Sequence, residues 1–386
     1  MYDVTIVGGG PGGLCAAARL ARLGHDVALL EEHAAFGDPV HCTGVLAADA
    51  FAELDLSRDV ILNALGTARF HSPSGLDLSY TPPTAEAVVI DRLAFDDILS
   101  TSAERAGATL LRGCRVISAD VERTHVTLEV AGRVPLKSRA LILACGASYG
   151  LQRRLGLGIP SVYLSSAQLE LPATRAGDVD VYFGAATAPR GFAWAVPVLR
   201  ASGPHVRIGL MCARNAGEYF RQFLARVGPA WGVDVATAPR PRRRLLPLSA
   251  IRRTYSDRVL AIGDAAGLVK PTTGGGIYYS LVSAALAADV LGEALRLDDL
   301  SRASLARYET QWRKRLMPEL RAQLALRMLA QRLSDTEIDD LFDLARNDGL
   351  MPLVRQTARF NRHRDLVAAM FRHTAARRIL FRRLIG

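Results

Sequence analysis

The residues with the clearest chemical spacing come first in the chain. Gly8-x-Gly10-x-x-Gly13, with Pro11 inside it, follows the apolar run 3–7 (DVTIV) and opens an Ala/Leu/Arg stretch to Leu23, closed by Gly24. A second apolar run, 26–30, ends at Glu31. Strand, glycine turn, helix, strand and acid is a pattern that binds a dinucleotide. The first glycine makes the tight turn, the second lets backbone approach a pyrophosphate, and the third lets helix and strand pack closely. The helix N-terminus then offers unpaired N–H groups and partial positive charge to the phosphates. Glu31 lies 23 residues beyond Gly8, near the ~20 at which an acid accepts from a ribose hydroxyl. Glu32 is the neighbouring candidate.

A second constellation lies late in the sequence. Residues 258–263 (RVLAIG) read as a buried strand running into Asp264, at the carboxyl end where open α/β sheets bind ligands. Pro271-Thr272-Thr273-Gly274-Gly275-Gly276 then opens a helix from Ile277. Asp264 would accept from a flexible polyol hydroxyl. The helix N-terminus could face the pyrimidine end of a flavin and stabilise the negative charge of its reduced form. These features favour FAD over NAD as the resident dinucleotide.

Together these residues resemble the FAD-dependent geranylgeranyl reductase family, within the hydroxylase-like flavoprotein superfamily. The resemblance is carried by Gly8–Gly13 with Glu31, Cys42-Thr43-Gly44, Ile90-Asp91-Arg92 with Phe95-Asp96, Gly191-Phe192-Ala193-Trp194-Ala195-Val196-Pro197, and Gly263-Asp264-Ala265-Ala266-Gly267 with Pro271 through Tyr279. It covers about residues 1–300. It implies saturation of isoprenoid C=C bonds on a lipid, quinone or pigment side chain. Gly10, Gly13, Glu31, Arg92 and Asp264 would hold FAD, with Thr43, Gly44, Gly146 and Gly263 beside it. Cys42 would sit near the isoalloxazine ring, as proton donor or as a small packing residue. Phe192, Trp194 and Pro197 would line the substrate tunnel; the alternative for Phe192 and Trp194 is ordinary sheet core.

The sequence departs from the family in three places. Phe192 stands where Tyr is usual. A Gly-x-Gly after Pro197 is reduced to Gly209. The superfamily's Asp-Gly pair appears as Cys145-Gly146, which leaves NAD(P)H and a protein electron donor both open as reductant. Two rival readings remain. One is a monooxygenase or halogenase of the same superfamily; Lys137 is the only Lys between the glycine turn and the Phe192 motif. The other is a non-catalytic flavin-bearing binder of isoprenoid lipids.

Composition narrows the partners. The 386 residues carry 48 basic against 38 acidic side chains, and all but three of the basic ones are Arg. Aromatics are 6% with no basic/aromatic interleaving, which argues against nucleic acid. Five scattered Cys without C-x-x-C exclude a disulfide framework or zinc ribbon and fit a reducing, cytoplasmic setting. The eight His do not pair at ligand spacing, so no metal is expected. The start does not read as a signal peptide, and no run approaches 18 apolar residues.

The expected fold is α/β. A Rossmann-like FAD-binding domain (1–66, 84–160 and 245–298) carries an inserted, mainly antiparallel β-sheet substrate domain (67–83 and 161–244), and a helical region fills 299–386. Residues 67–80 read as a hairpin around Pro73-Ser74-Gly75. The run Arg240, Arg242, Arg243, Arg244 reads as a solvated loop rather than an anionic head-group site. The tail interleaves Arg355, Arg359, Arg362, Arg364, Arg372, Arg377, Arg378, Arg382 and Arg383 with Met370, Phe371, Ile379, Leu380, Phe381, Leu384 and Ile385. Such helices suit either an anionic membrane surface or packing on the protein's own body with Arg outward.

Overall fold

The computed structural model describes residues 1–347 and 350–381. The chain forms two compact units: 1–40 with 91–162 and 247–320, and 41–90 with 163–246 and 321–386.

The first unit is built on a sheet with strand order Tyr255–Ser256, Val259–Ala261, Leu136–Leu143, Tyr2–Val7, Val27–Leu30, Thr109–Leu111. Tyr2–Val7 pairs in parallel with both of its neighbours. Val27–Leu30 is buried throughout, as expected of a strand covered by helices on both faces. Helix Pro11–Arg22 follows the first strand and buries Leu14, Ala16, Ala17 and Leu20. It packs on helix Ile277–Arg296, and the close approach is set by Gly12. A Cβ there would stand 2.3 Å from Ser280 Oγ. Asp91 caps helix Arg92–Arg105 by accepting from the Leu93 and Ala94 amides at 3.0 and 3.3 Å, which satisfies two of the orphan donors of its first turn. Length and composition alone would let Ile277–Arg296 cross a membrane, contrary to the expectation that no apolar run is long enough. The helix is mostly buried within this unit, and core packing accounts for its apolar composition.

The second unit holds a seven-stranded sheet of order Arg242–Pro247, Tyr163–Pro172, Gly203–Cys212, Phe192–Arg200, Val179–Tyr182, Ala68–His71, Asp77–Tyr80. Its long central pairs are antiparallel. Helix Ala216–Val227 covers one face. There Phe220, Phe223 and Leu224 meet Ala167, Leu171, Ala193, Ala195, Val206, Ile208 and Leu210. A smaller sheet, Val45–Ala47, Ala87–Ile90 and Ile61–Leu65, belongs to the same unit. The Arg run is not a loop: Arg242–Pro247 is an edge strand with its arginines exposed, and charge at an edge discourages pairing with another sheet. In the tail, Leu344, Ala345, Leu350 and Ala376 form a cluster with Leu78 and Ile379 around it. Ile379 and Leu380 of the stripe therefore face the unit's own body, while Arg372, Arg377 and Arg378 are exposed. Arg382, Arg383, Leu384 and Ile385 lie outside the described residues.

Candidate functional site

In the first unit the glycine turn is shaped by backbone contact. Gly8 has φ +108°, and a Cβ there would lie 2.4 Å from the Ala144 carbonyl oxygen. A Cβ on Gly13 would lie 2.0 Å from the Gly8 oxygen. Gly10 differs from both: it is extended (φ −75°, ψ 177°), and an added Cβ would meet nothing within 4 Å. Gly10 is the N-cap of helix Pro11–Arg22, no side chain caps that helix, and its first turn holds no acid. Its first N–H groups therefore remain for an external acceptor. Glu31 borders this turn. Its Oε2 accepts from the Gly9 amide at 2.7 Å, and its Oε1 accepts from the His33 amide at 3.0 Å and meets His33 Nδ1 at 2.5 Å. A carboxylate offers about four acceptor positions, so capacity remains for a hydroxyl. Glu32 is more exposed and lies 3.9 Å from Arg115.

Arg92 is anchored rather than loose. Its Nη2 donates to both carboxylate oxygens of Asp96, at 3.0 and 2.7 Å. Burial pushes the Asp96 carboxyl up, against the pull of the Arg92 charge. Gly146 has φ +60° and open space at its Cβ position. The preceding Cys145 accepts at Sγ from Gln152 Nε2 at 3.3 Å, and burial pushes its thiol to about 11.

Asp264 lies in the short turn of 3-10 helix Gly263–Ala266. Its carbonyl accepts from the Tyr149 hydroxyl at 2.6 Å. A Cβ on Gly276 would come 2.6 Å from Asp264 Oδ1, and one on Gly263 would come 2.4 Å from Ser280 Oγ. Gly274 (φ +73°) and Gly275 close a turn with Lys270: Gly274 N donates to the Lys270 carbonyl at 2.9 Å, and Lys270 N donates to the Gly275 carbonyl at 3.0 Å. Helix Ile277–Arg296 then starts with Gly276 at its N-cap, no side-chain cap and no acid in its first turn. Two glycine-capped helix starts, which offer donors, and the Glu31 carboxylate, which retains acceptor capacity, together fit a phosphate-bearing dinucleotide.

In the second unit the sheet has one face under helix Ala216–Val227 and another that carries chemistry. Along Tyr163–Pro172, Ser166, Gln168 and Glu170 alternate onto that second face. Ser166 Oγ donates to the Arg244 carbonyl at 3.2 Å and stands 3.4 Å from His41 Nε2; with the hydroxyl proton so used, Nε2 is the donor to Ser166. Gln168 Oε1 accepts from Thr43 Oγ1 at 3.0 Å. Glu170 Oε2 accepts from Arg207 Nε at 2.8 Å, and Arg207 Nη1 donates to the Thr43 carbonyl at 2.6 Å. Burial, then the Arg244 and Arg242 charges, hold His41 down at about 4. Burial raises the Glu170 carboxyl, but its bond to Arg200 and the charge of Arg207 outweigh that and hold it at about 2.

The aromatic pair shares this face. Gln168, Gly209 and Trp194 stand in one cross-strand row, and Ser166, Met211 and Phe192 in the next. The indole lies across Gly209, where a Cβ would be 2.5 Å from Trp194 Cζ2. Phe192 packs on Trp194 with centroids 5.6 Å apart, and Phe183 packs on Phe192 at 6.3 Å. The structure thus brings Cys42, Thr43 and Gly44 onto the sheet face that holds Phe192 and Trp194. Pro197 is not part of that group. It has the parity of Ala193 and Ala195 and pairs with Val206, so it belongs to the face under the helix. The alternating polar positions Ser166, Gln168 and Glu170, and the buried Arg207, were missed in the sequence. A polar residue at every second place of a strand was the available signal. Lys137, on strand Leu136–Leu143, is exposed and lies in the first unit.

Comparison with known proteins adds five findings. Residues 2–171 match the family described as pyridine nucleotide-disulphide oxidoreductase, and residues 217–344 match lycopene cyclase protein. A digeranylgeranylglycerophospholipid reductase of Methanocaldococcus jannaschii is 30% identical over 354 residues, 88% of this chain and 90% of the relative. A crystal structure of a geranylgeranyl bacteriochlorophyll reductase-like protein from Thermoplasma acidophilum superposes with a TM-score of 0.82 at 24% identity, covering 96% of each chain. A halogenase solved in complex with FAD superposes with a TM-score of 0.69 at 17% identity, covering 98% of this chain and 85% of that one.

Proposed function

Because the chain belongs to the geranylgeranyl reductase family, an enzyme family, we propose that it is an FAD-dependent reductase of C=C bonds in a geranylgeranyl-type chain carried on a lipid. The observation that carries the reading is the second unit's sheet face, where Thr43, next to Cys42, is bonded to Gln168 in the row that holds Trp194 and to Arg207 in the row beside it, and His41 to Ser166 in the row that holds Phe192.

The first unit supplies the cofactor residues. Gly8, Gly10, Pro11 and Gly13 form the pyrophosphate turn, with Glu31 as the ribose acceptor and Glu32 beside it. Arg92 and Gly146 border the site. Gly263, Asp264, Gly274, Gly275, Gly276 and Ile277 serve the far end of FAD, where the Ile277 helix start favours negative charge. The bound flavin, when reduced, supplies hydride to one alkene carbon. Everything else falls to the protein. Phe192 and Trp194 form an apolar wall that holds the chain and keeps water from it. Cys42 delivers a proton from Sγ to the other carbon. That sulfur accepts from the Gly44 amide at 3.3 Å, which occupies a lone pair and leaves the S–H proton to point elsewhere. Pro197 helps only indirectly, by fixing the strand: its carbonyl accepts from Asn63 Nδ2 at 3.3 Å.

The test is direct. The purified protein should take up FAD. After anaerobic reduction with dithionite it should add two hydrogens per double bond to a geranylgeranylated glycerophospholipid, read by mass spectrometry. No mass gain on any prenyl lipid would sink the reading. Either NAD(P)H or a reduced protein carrier serves as the electron source in turnover, and stopped-flow bleaching of the flavin by each would separate them. We read the tail as a contact for an anionic membrane surface in a cytoplasmic setting, because Arg355, Arg359, Arg362, Arg364, Arg372, Arg377 and Arg378 are all exposed. Equal flotation with neutral and anionic vesicles would refute that contact.

A further inference from the structure

Arg207 is the most buried guanidinium on the site-bearing face, and its bonds are unusual in what they hold. Its side chain is 2% exposed. Nη1 donates to two backbone carbonyls, Thr43 at 2.6 Å and Ile90 at 3.1 Å. Those carbonyls flank a short bridge: Ile90 N donates to the Gly44 carbonyl at 2.8 Å. Nε is taken by Glu170, which is itself gripped by Arg200 Nε and Nη2 at 2.6 and 2.9 Å. The charge is thus compensated on the strand side, while the other side of the guanidinium fixes main chain immediately after Cys42.

The space is equally specific. Gly44 has φ +66°, and a Cβ there would come 2.4 Å from Arg207 Nη1 and 2.9 Å from the Ile90 carbonyl oxygen. Gly44 and Arg207 therefore fit as a pair. This is a poor design for stability alone. A buried ion is costly to desolvate, and Nη2 is buried with no hydrogen-bond partner, which adds to that cost. An apolar side chain would fill the position at lower cost, but it could not hold the Thr43 carbonyl.

We propose that Arg207, oriented by Glu170, is a positioning residue that sets where the Cys42 thiol points, acting through the Thr43 carbonyl. The proposal rests on the reading of Cys42 as proton donor. Cys42 is held on both sides: His41 by Ser166, and Thr43 by Gln168 and Arg207. Its own side chain makes only the Gly44 contact among the hydrogen bonds of the described residues. The direction of the thiol is therefore dictated by the main chain that Arg207 grips.

The test uses the full chain with FAD bound and the variants Arg207→Met, Arg207→Lys, Cys42→Ser and the double variant Arg207→Met/Cys42→Ser. Arg207→Met should lower kcat by about 10²-fold, the scale of a misplaced reacting group, with KM changed less than about threefold. Arg207→Lys should recover part of that loss, because an ammonium can still reach one carbonyl. In the Cys42→Ser background, Arg207→Met should change kcat little. A second readout needs neither flavin nor turnover: the rate and pH profile of Cys42 alkylation by iodoacetamide, site-resolved by mass spectrometry. It should change in Arg207→Met while that of Cys212 stays constant. The proposal is overturned if Arg207→Met reduces kcat equally in the wild-type and Cys42→Ser backgrounds, or if folded Arg207→Lys leaves both kcat and the Cys42 profile at wild-type values. If Arg207→Met does not fold, Arg207→Lys and Glu170→Gln carry the same comparison. A wild-type protein without reductase activity would defeat the proposed function instead, and the alkylation profile would still decide the role of Arg207.

Discussion

Gly209 and Trp194 offer a sharp test of the site-bearing face, because two known effects have opposite signs there. A glycine inside a strand costs about 0.5–1 kcal/mol relative to alanine, so Gly209→Ala would ordinarily stabilise. Here the new methyl would stand 2.5, 2.6 and 2.8 Å from three atoms of the Trp194 indole. Carbon–carbon contact is comfortable at about 3.5–4.0 Å, so the ring must move by about 1 Å or more. It lies between Phe192 on one side and the strand beneath it. Overpacking of this kind costs about 1–3 kcal/mol and exceeds the propensity gain. Gly209→Ala should therefore destabilise by about 1–2 kcal/mol. In a Trp194→Ala background the obstruction is gone, and the same substitution should stabilise by about 0.5–1 kcal/mol. The change of sign implies a coupling of about 1.5–3 kcal/mol between residues in contact. Urea unfolding of the four proteins, followed by far-UV circular dichroism, measures it. An equal cost of Gly209→Ala in both backgrounds would show that the indole does not occupy the space over the glycine, and the account of the aromatic wall would fail with it.

Three further outcomes follow from the same geometry. Gly10→Ala should fold like wild type, since its backbone is ordinary and its Cβ site is open, yet bind FAD about tenfold or more weakly, because the methyl stands where main chain must approach a pyrophosphate; Gly13→Ala, 2.0 Å from the Gly8 oxygen, should fail to fold. Calorimetric titration with FAD that finds wild-type affinity in Gly10→Ala would contradict the turn's assignment. For pH, His41 is held at about 4 against an ordinary 6.5. The unfolded chain then binds more protons between those values, so stability should fall as pH drops from about 6.5 to about 4. Glu170, held at about 2 against 4.5, adds a loss as pH drops from about 4.5 to about 2. His41→Asn should flatten the upper part of a urea-midpoint profile, and an unchanged slope would refute the assignment. Burial pushes Cys15 and Cys145 to about 11, so at pH 8 each should alkylate roughly 100-fold more slowly than an ordinary thiol of pKa about 8.5. Rates near that of a free thiol, read by mass spectrometry, would show that the raised thiol pKa values are wrong.

The sequence alone determined the local elements whose causes lie within a few residues. The glycine turn between 3–7 and 11–22, the hairpin around Pro73-Ser74-Gly75 and the glycine entry to Ile277 all appear as read, because turn chemistry and apolar periodicity are short-range signals. The motif residues named the family for the same reason. The Arg242–Pro247 strand, by contrast, reads as a loop in isolation; it becomes a strand by pairing with Tyr163–Pro172. The apolar helix Ile277–Arg296 has a composition that suits either lipid or protein, and burial within its unit decided for protein; in the tail, apolar side chains pack within the unit while its Arg side chains stay exposed. Parity along one strand parted Pro197 from Phe192 and Trp194, although all three sit in a single motif. Only the tertiary structure shows that Ser166, Gln168 and Arg207 hold residues 41–44, with Glu170 behind Arg207. Those partners are 125 or more residues from the segment they grip, and strand register, set by packing across the whole sheet, is what brings such distant positions together.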